Sequence, residues 1–244
     1  MRRILSILVF LTFLHNGQAI ATITKPVPIT AQSWLVADGT GKIIQGENTK
    51  DIRSIASISK LVTAMIILDA NQDLDEYIKP YTRRELLQLS IVHSDNRATD
   101  ILCNNYPGGR TNCIRALNAK ANSLGLYNTK LIDPTGLSVF NVSTAEELVK
   151  MVIAASRYPE IVSASNTSSV KIKIKKKWLV FRNTNPIIGK RHDFVVSKTG
   201  YIRASGGCIV MMLNTDVGQR IVVVLGSKNT HTRIPEAEFI AQHY

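Results

Sequence analysis

Cysteine is scarce in this chain, and the few copies present do not indicate a metal site. Only three cysteines, Cys103, Cys113 and Cys208, occur among 244 residues. An oxidising compartment allows one disulfide and leaves one thiol over. The sequence leaves open whether Cys103 and Cys113 pair, whereas Cys208 lies in an apolar run and is expected to be a small buried side chain. The five histidines show no metal-ligand spacing with these cysteines, so we predict no metal site.

Long apolar runs, low-complexity tracts and internal repeats are also missing from the body of the chain. Hydrophobic residues make up 45% and charged residues 20% of the sequence, which excludes a disordered protein and predicts a globular one. No stretch after the N-terminal segment resembles a transmembrane helix. We find no linker either, so a single domain is expected.

The N-terminal segment has the pattern of a secretory signal peptide. Arg2 and Arg3 precede an apolar run over residues 4–14, and Ala19-Ile20-Ala21 supplies the small residues of a cleavage site. We predict a signal peptide over 1–21 and one mature domain over 22–244, located in the periplasm or otherwise outside the cytoplasm. The alternatives are cleavage after Ala19 or an uncleaved anchor, although the apolar run is short for a bilayer span.

Acidic residues are outnumbered by basic ones, which gives the chain a formal net charge of +12. Such a charge attracts anionic partners, for example cell-wall polymer or a membrane surface. Nucleic acid is a competing partner, but an exported protein rarely meets it, and we expect none. The densest basic run, residues 171–177, alternates lysine with isoleucine, which predicts a strand with its isoleucines inward and its lysines in water.

Segments with strand character at both ends of the chain bracket a helical middle. Strands are predicted over 32–37, 42–45, 170–174, 178–181, 193–198, 207–213 and 220–225. Helices are predicted over 57–70, 84–90, 96–104, 112–124, 144–156 and 235–243. This order favours an α+β fold, in which an antiparallel sheet with flanking helices carries a helical lobe beside it.

An S-x-x-K motif, Ser57 to Lys60, opens the first predicted helix. Residues three apart lie on the same side of a helix, so the serine and the lysine project together. Serine needs a nearby base to act as a nucleophile. Lysine serves as that base when burial or a second positive charge destabilises its ammonium. Taken alone, the motif fits an ordinary helix surface equally well.

The tripeptide Ser-Asp-Asn at 94–96 begins another predicted helix. Ser94 is a candidate proton relay, and Asn96 is a candidate ligand for a substrate amide or for Lys60. By itself this tripeptide is a common turn or helix cap.

The tripeptide Lys-Thr-Gly at 198–200 is expected at the end of a late strand. Lys198 would supply a second positive charge, Thr199 would bind a carboxylate, and Gly200 would let the strand approach the substrate closely. The three motifs in this order and context are those of serine β-lactamases and penicillin-binding proteins.

Longer stretches carry a more specific resemblance. The chain resembles the D-alanyl-D-alanine carboxypeptidase family of low-molecular-weight penicillin-binding proteins, and within it the D-alanyl-D-alanine endopeptidases of the penicillin-binding protein seven type. The resemblance spans most of residues 32–226 and rests on 53–65, 116–121, 124–126, 128–129, 133–138, 141–145, 182–185 and 197–201.

The resemblance implies a serine β-lactamase/transpeptidase-like fold and no cofactor. It implies catalytic roles for Ser57, Lys60, Ser94, Asn96 and Lys198, and substrate contacts for Thr199, Gly200 and Tyr201. Ser57 would be the acylated nucleophile, Lys60 its base, and the backbone N–H groups of Ser57 and Tyr201 an oxyanion hole.

The predicted function is hydrolysis of D-alanyl bonds in peptidoglycan, with β-lactams as covalent inhibitors and the D-Ala cross-link as the favoured bond. The alternatives are a carboxypeptidase with the same site and a non-catalytic module that binds the wall or senses β-lactams. A class A β-lactamase is disfavoured because no glutamate equivalent to its deacylating residue follows Asp133-Pro134; Glu146 and Glu147 are expected in the first turn of a helix. The segment before Ser94, around 79–84, is shorter than is usual in the family, which would change one rim of the cleft.

Overall fold

The structure is a computed structural model that describes residues 27–190 and 193–244. The predicted signal peptide lies outside this part of the chain. The strands are β1 (Ser33–Asp38), β2 (Ile43–Glu47), β3 (Arg53–Ser54), β4 (Tyr77–Ile78), β5 (Tyr81–Thr82), β6 (Val142–Ser143), β7 (Ser169–Ile174), β8 (Lys177–Arg182), β9 (Asp193–Ile202), β10 (Gly206–Thr215) and β11 (Gly218–Ser227). The helices are α1 (Lys60–Asp69), α2 (Arg83–Val92), α3 (Asn96–Asn104), α4 (Gly109–Ser123), α5 (Ala145–Ala155), α6 (Pro159–Asn166) and α7 (Arg233–His243).

An antiparallel sheet of five strands, in the order β2-β1-β11-β10-β9, organises the described residues. Strand β1 pairs with β11, so the strand segments at the two ends of the sequence belong to one sheet. Strand β10 lies between β11 and β9, and most of its residues are buried. The sheet therefore ends at β9, the strand that carries the Lys-Thr-Gly segment.

Side chains alternate between the two faces of this sheet, and each face supports its own apolar cluster. Leu35 and Val223 belong to the larger cluster, which they share with buried residues of helices α1 to α6. Trp34 and Val224, their chain neighbours, belong to the second cluster, which includes the apolar residues of α7. One face of the sheet is thus covered by the helical lobe and the other by the C-terminal helix.

Helix α1 is the central helix of the lobe. Its residues from Lys60 to Ile67 are all buried, as expected for a helix with neighbours on every side. A disulfide joins Cys103 in α3 to Cys113 in α4, with 5.5 Å between their Cα atoms, which answers the question that the sequence left open. Cys208 is a free, buried thiol, as predicted.

Two secondary-structure predictions were wrong where the site is built, and one helix outside the site was missed. The helix predicted from Ser57 begins as a 3-10 turn over Ala56–Ser59 and becomes α-helical at Lys60. The Lys-Thr-Gly segment lies inside β9 rather than at its end, because β10 pairs with that strand as far as Ile202. Helix α6 was missing from the prediction; it has Pro159 in its first turn and is only eight residues long.

Two hairpins extend from this framework. Strands β4 and β5 have two residues each and form a minimal hairpin where the shortened segment was expected. Strands β7 and β8 pair along six residues, and the predicted orientation is confirmed: Ile172 is 1% exposed while Lys171 and Lys173 are exposed. Within residues 27–190 and 193–244, no helix has the length and apolar character to cross a bilayer.

Candidate active site

The turn that carries Ser57 is held between two glycines. Ala56, which precedes the serine, has φ +46°, an uncommon value for a residue with a Cβ. A Cβ on Gly136 would lie 2.0 Å from the Ala56 carbonyl oxygen, and one on Gly200 would lie 3.0 Å from the Ser57 nitrogen. Gly200 therefore lies against the backbone at Ser57. The sequence had predicted instead that Gly200 would lie close to the substrate.

Alanine at Gly136 should destabilise the fold and disturb this turn. Gly136 has φ +81°, so a Cβ adds backbone strain to the clash, for a combined loss in free energy of unfolding of about 3 kcal/mol or more. Gly109→Ala is the matched control, because Gly109 has φ +75° and no heavy atom within 4 Å of the added Cβ; its loss should be about 1 kcal/mol. Denaturant unfolding of both variants tests this, and equal losses would contradict the packing described here.

Lys60 is fully buried and its amine lies among three oxygen atoms. Its Nζ is 2.9 Å from Ser57 Oγ and 2.7 Å from Asn96 Oδ1, and it also donates to the Thr135 carbonyl. A neutral amine has two N–H donors and one lone pair. Asn96 and Thr135 are acceptors that take the two N–H groups, which leaves the lone pair for the Ser57 hydroxyl.

The electrostatics of the site favour this neutral form near physiological pH. Burial lowers the pKa of Lys60 to about 7, against the opposing effect of the negative charges of Asp133, Asp95 and Asp100. A lysine with such a pKa exchanges its proton at neutral pH. The geometry thus places a base beside the hydroxyl of Ser57.

Asp133 fixes the loop that supplies the Thr135 carbonyl. Its carboxylate accepts hydrogen bonds from the backbone N–H groups of Thr135 (2.7 Å), Gly136 (2.8 Å) and Ser138 (2.9 Å). Burial alone would raise the pKa of Asp133, but the hydrogen bonds from Thr135, Ser138 and Gly136 outweigh it and lower that pKa. The carboxylate stays ionised and orders the loop around Ser57.

The Ser-Asp-Asn segment brings two side chains into the site from the junction between α2 and α3. Asp95 caps α3 by accepting from the Ala98 N–H at 2.8 Å, so its side chain stabilises the start of the helix and does not line the cleft. Ser94 has φ +58°, in the left-handed region that L-residues rarely adopt. This conformation directs Ser94 Oγ to the Nζ of Lys198, at 2.9 Å.

Lys198 is 2% exposed, and its Nζ donates to Ser94 Oγ and to the Thr199 carbonyl, both at 2.9 Å. Burial lowers the pKa of Lys198 well below its ordinary value, and the charges of Lys60 and Arg233 lower it further. Its contact with Ser94 Oγ places this second amine beside the Ser-Asp-Asn segment.

Arg233, at the start of α7, is a cation of this site that the sequence analysis missed. Its Nη1 donates to the Gly200 carbonyl at 2.6 Å, and the residue is 7% exposed. A lone arginine far from the three motifs carries no sequence signal, and only the fold brings α7 against β9. Thr184 was missed for the same reason; its hydroxyl accepts from Thr199 Oγ1 at 2.7 Å.

These side chains share one open cleft of about 230 Å³. It is lined by Ser57, Ser94, Asn96, Leu137, Thr184, Thr199, Gly200, Tyr201 and Arg233. The predicted site residues thus meet at one place, with Lys60 and Lys198 buried directly behind the lining. Within the described residues, no cluster of three histidine, cysteine or acidic side chains is placed to hold a metal ion.

Most of the chain matches a known protein family. The D-alanyl-D-alanine carboxypeptidase family matches residues 20–79 and 76–229. The chain belongs to this family. The two matched stretches meet at residues 76–79, at the β4–β5 hairpin, where the sequence analysis places the shortened segment.

Curated relatives agree with this assignment. The chain is 37% identical to the D-alanyl-D-alanine endopeptidase of Escherichia coli, over 87% of this chain and 77% of the relative. It is 35% identical to the D-alanyl-D-alanine endopeptidase of Pseudomonas aeruginosa, over 92% of this chain and 83% of the relative. The predicted family and the predicted class, a serine peptidase, are confirmed.

Solved structures show the same fold. The Streptomyces K15 DD-transpeptidase has a TM-score of 0.80 at 23% identity, covering 90% of this chain and 98% of the transpeptidase. The penicillin-binding protein D2 of Listeria monocytogenes in its cefotaxime-bound form has a TM-score of 0.77 at 21% identity, covering 90% and 98% of the two chains. The predicted α+β, transpeptidase-like fold is confirmed.

Proposed function

We propose that this protein is an exported serine endopeptidase that hydrolyses D-alanyl cross-links in peptidoglycan through an acyl-enzyme on Ser57. The observation that carries the proposal is the 2.9 Å contact between Lys60 Nζ and Ser57 Oγ, made by a buried lysine whose N–H groups have other acceptors. Membership of the D-alanyl-D-alanine carboxypeptidase family supports the bond class. No cofactor takes part.

In the acylation step Ser57 Oγ attacks the carbonyl carbon of the D-alanyl peptide bond, and its proton passes to Lys60 Nζ. The carbonyl oxygen gains negative charge, which the backbone N–H groups of Ser57 and Tyr201 stabilise. The C–N bond then breaks, and the proton that Lys60 took up passes by way of Ser94, which is hydrogen-bonded to Lys198, to the leaving amine, so that Lys60 is neutral again. The donor peptide is left as an ester on Ser57.

In the deacylation step a water attacks the ester, and Lys60 accepts a proton from it. The ester C–O bond breaks, Ser57 Oγ recovers its proton from Lys60, and the donor peptide leaves as a free carboxylic acid. Asn96 holds Lys60 in place through both steps. Arg233 and Thr199 face the cleft from the β9 side, where they suit a substrate carboxylate.

The endopeptidase reading is preferred to the carboxypeptidase reading because the relatives from Escherichia coli and Pseudomonas aeruginosa are named D-alanyl-D-alanine endopeptidases. The test is a digest of purified cross-linked muropeptide dimers beside a monomer that ends in D-Ala-D-Ala. We expect monomers to appear from the dimer faster than free D-alanine appears from the monomer. The opposite order would make the protein a carboxypeptidase, and no product from either substrate would favour the non-catalytic sensor.

Penicillin should acylate Ser57 and leave slowly. A class A β-lactamase uses a glutamate to drive deacylation, and no acidic residue lines the cleft within the described part of the chain. Glu146 and Glu147 lie in the first turn of α5, as predicted, where Glu146 accepts from Thr49 and Glu147 from Asn128 and Thr129. Rapid turnover of a chromogenic penicillin by the purified protein would contradict this expectation.

Acylation of Ser57 by a labelled penicillin should become faster as the pH rises through neutrality. Because burial lowers the pKa of Lys60 to about 7, the amine is protonated and unable to accept a proton below that pH, and neutral above it. Stopped-flow acylation rates measured against pH should therefore have their midpoint near this pKa. A rate that is flat from about pH 6 to about pH 8 would contradict the role of Lys60.

The Asp133→Asn variant gives a second test of the dependence of the acylation rate on pH. The charge of Asp133 raises the pKa of Lys60, so its removal should move the midpoint to lower pH. The amide keeps one acceptor oxygen for the loop. A midpoint that moves to higher pH would contradict the arrangement of charges proposed here.

A further inference from the structure

The β7–β8 hairpin has one face in the core and one face in water. Residues paired across antiparallel strands project to the same side. Val170 pairs with Phe181 and Ile172 with Leu179; Val170 and Ile172 are buried in the main apolar cluster. The residues between them must therefore face outward.

The outward residues combine cations with apolar groups. Lys171 pairs with Val180 and Lys173 with Trp178, while Arg182 lies at the base of the hairpin. Trp178 is 65% exposed and Val180 53% exposed. We call these five residues the outer hairpin face. In residues 27–190 and 193–244, none of its three cations has a carboxylate partner.

The base of the hairpin lies beside the segment that carries Ser94. The Arg182 carbonyl is 3.0 Å from His93 Nδ1, and the ring of Phe181 contacts that histidine edge-on, with 5.4 Å between ring centroids. His93 precedes Ser94, and Thr184, which lines the cleft, follows the hairpin by two residues. The hairpin, with Arg182 at its base, therefore lies next to the cleft in the chain and in the fold.

We propose that the outer hairpin face binds peptidoglycan strands adjacent to the cross-link held in the cleft. This inference rests on the proposed function, since that function puts the polymer in the cleft. Stem peptides carry free carboxylates, which pair with lysine and arginine, and the sugar rings offer apolar faces on which an indole stacks. The positive charge of the face is opposite to that of the polymer.

Sedimentation with purified, insoluble peptidoglycan sacculi tests the proposal. All proteins carry Ser57→Ala, so that binding is measured without digestion. Adding Lys171→Glu and Lys173→Glu should weaken binding about fivefold or more, and adding Trp178→Ala about threefold, at physiological salt. Because all three side chains are exposed, the thermal unfolding temperature should not change.

The matched control is the pair Lys42→Glu and Lys50→Glu in the same background. Both lysines are exposed and lie beside β2, at the sheet edge opposite β9; the change in net charge is the same. The control should bind sacculi as the parent does. If both pairs of substitutions weakened binding to sacculi equally, net charge alone would explain the effect and the proposal would be overturned. Unchanged binding by the hairpin variants would overturn it as well.

Two further measurements are needed. The first distinguishes peptidoglycan from a membrane as the ligand of the outer hairpin face, and the second distinguishes failure of this proposal from failure of the proposed function. Tighter binding to anionic phospholipid vesicles than to sacculi, lost in the hairpin variants, would make the face a membrane site and overturn the proposal. With Ser57 restored, the Lys171→Glu and Lys173→Glu variant should digest soluble muropeptide dimers at the wild-type rate, because these lack adjacent strands. If the wild type leaves dimers intact, the proposed function fails while the binding result still stands on its own.

Discussion

Ser57→Ala should abolish the release of monomers from cross-linked muropeptides, with kcat lowered by about 10⁴-fold or more. The variant lacks the oxygen that would form the ester, whereas Lys60, Asn96 and the rest of the cleft keep their contacts. Liquid chromatography of a timed digest measures the loss. Labelled penicillin should also fail to attach to the variant.

Ser59→Ala is the control for this experiment. Ser59 lies in the same 3-10 turn, but its hydroxyl is buried and donates to the Ala56 carbonyl at 3.0 Å, away from Lys60. We expect its loss of activity to stay within about tenfold, which is the scale of one neutral hydrogen bond. If both serine variants lost the same activity, the loss would come from a disturbed turn and not from the missing hydroxyl of Ser57.

Lys60→Arg should be nearly as inactive as Lys60→Met, with acylation by penicillin slowed by about 10³-fold in both. Arginine keeps the positive charge but does not release its proton in a protein, so it has no lone pair for the Ser57 hydroxyl. The rate of covalent labelling, measured by gel fluorescence over time, gives the comparison. Circular dichroism confirms that each variant is folded.

The arginine variant shows whether Lys60 acts as a base or only as a fixed positive charge. If Lys60 only stabilised developing negative charge, Lys60→Arg would retain much of the rate while Lys60→Met would lose it. Such a result would contradict the assignment of Lys60 as the base. It would transfer that role to another group near Ser57, of which Lys198, with its lowered pKa, is the first to test.

Most of this site follows from local sequence pattern. Ser57 and Lys60 lie within one turn of chain, and a lysine three residues after a serine faces the same side whether the turn is 3-10 or α-helical. Ser94 and Asn96 were predicted from the tripeptide and its position before a helix. The alternation of lysine and isoleucine in β7 was sufficient to predict which side of the hairpin is buried.

The contacts that the sequence did not predict are those made by backbone atoms and by distant elements. The Thr135 carbonyl, which accepts from Lys60, has no residue-type signal because every residue has a carbonyl. Arg233 reaches the cleft only because α7 packs against the sheet. The lowered pKa of Lys198 likewise depends on burial and on Lys60 and Arg233, which are far from it in sequence.

The boundaries of elements were also set by tertiary contacts. Strand β9 continues past Lys198 because β10 offers it partners as far as Ile202. The turn at Ala56 is a 3-10 turn, and the backbones of Gly136 and Gly200 pack closely against it. Propensity and periodicity in the local sequence contain neither of these constraints.

The central claim is that a peptidoglycan peptide becomes an ester of Ser57 during turnover. Its most direct test is an acid quench of the enzyme in the steady state with cross-linked muropeptide, followed by trypsin digestion and mass spectrometry. We expect the mass of the donor peptide on the tryptic fragment 54–60, located by fragmentation to Ser57 rather than to Ser54 or Ser59. Monomer release with no adduct on this fragment, or with the adduct on another residue, would contradict it.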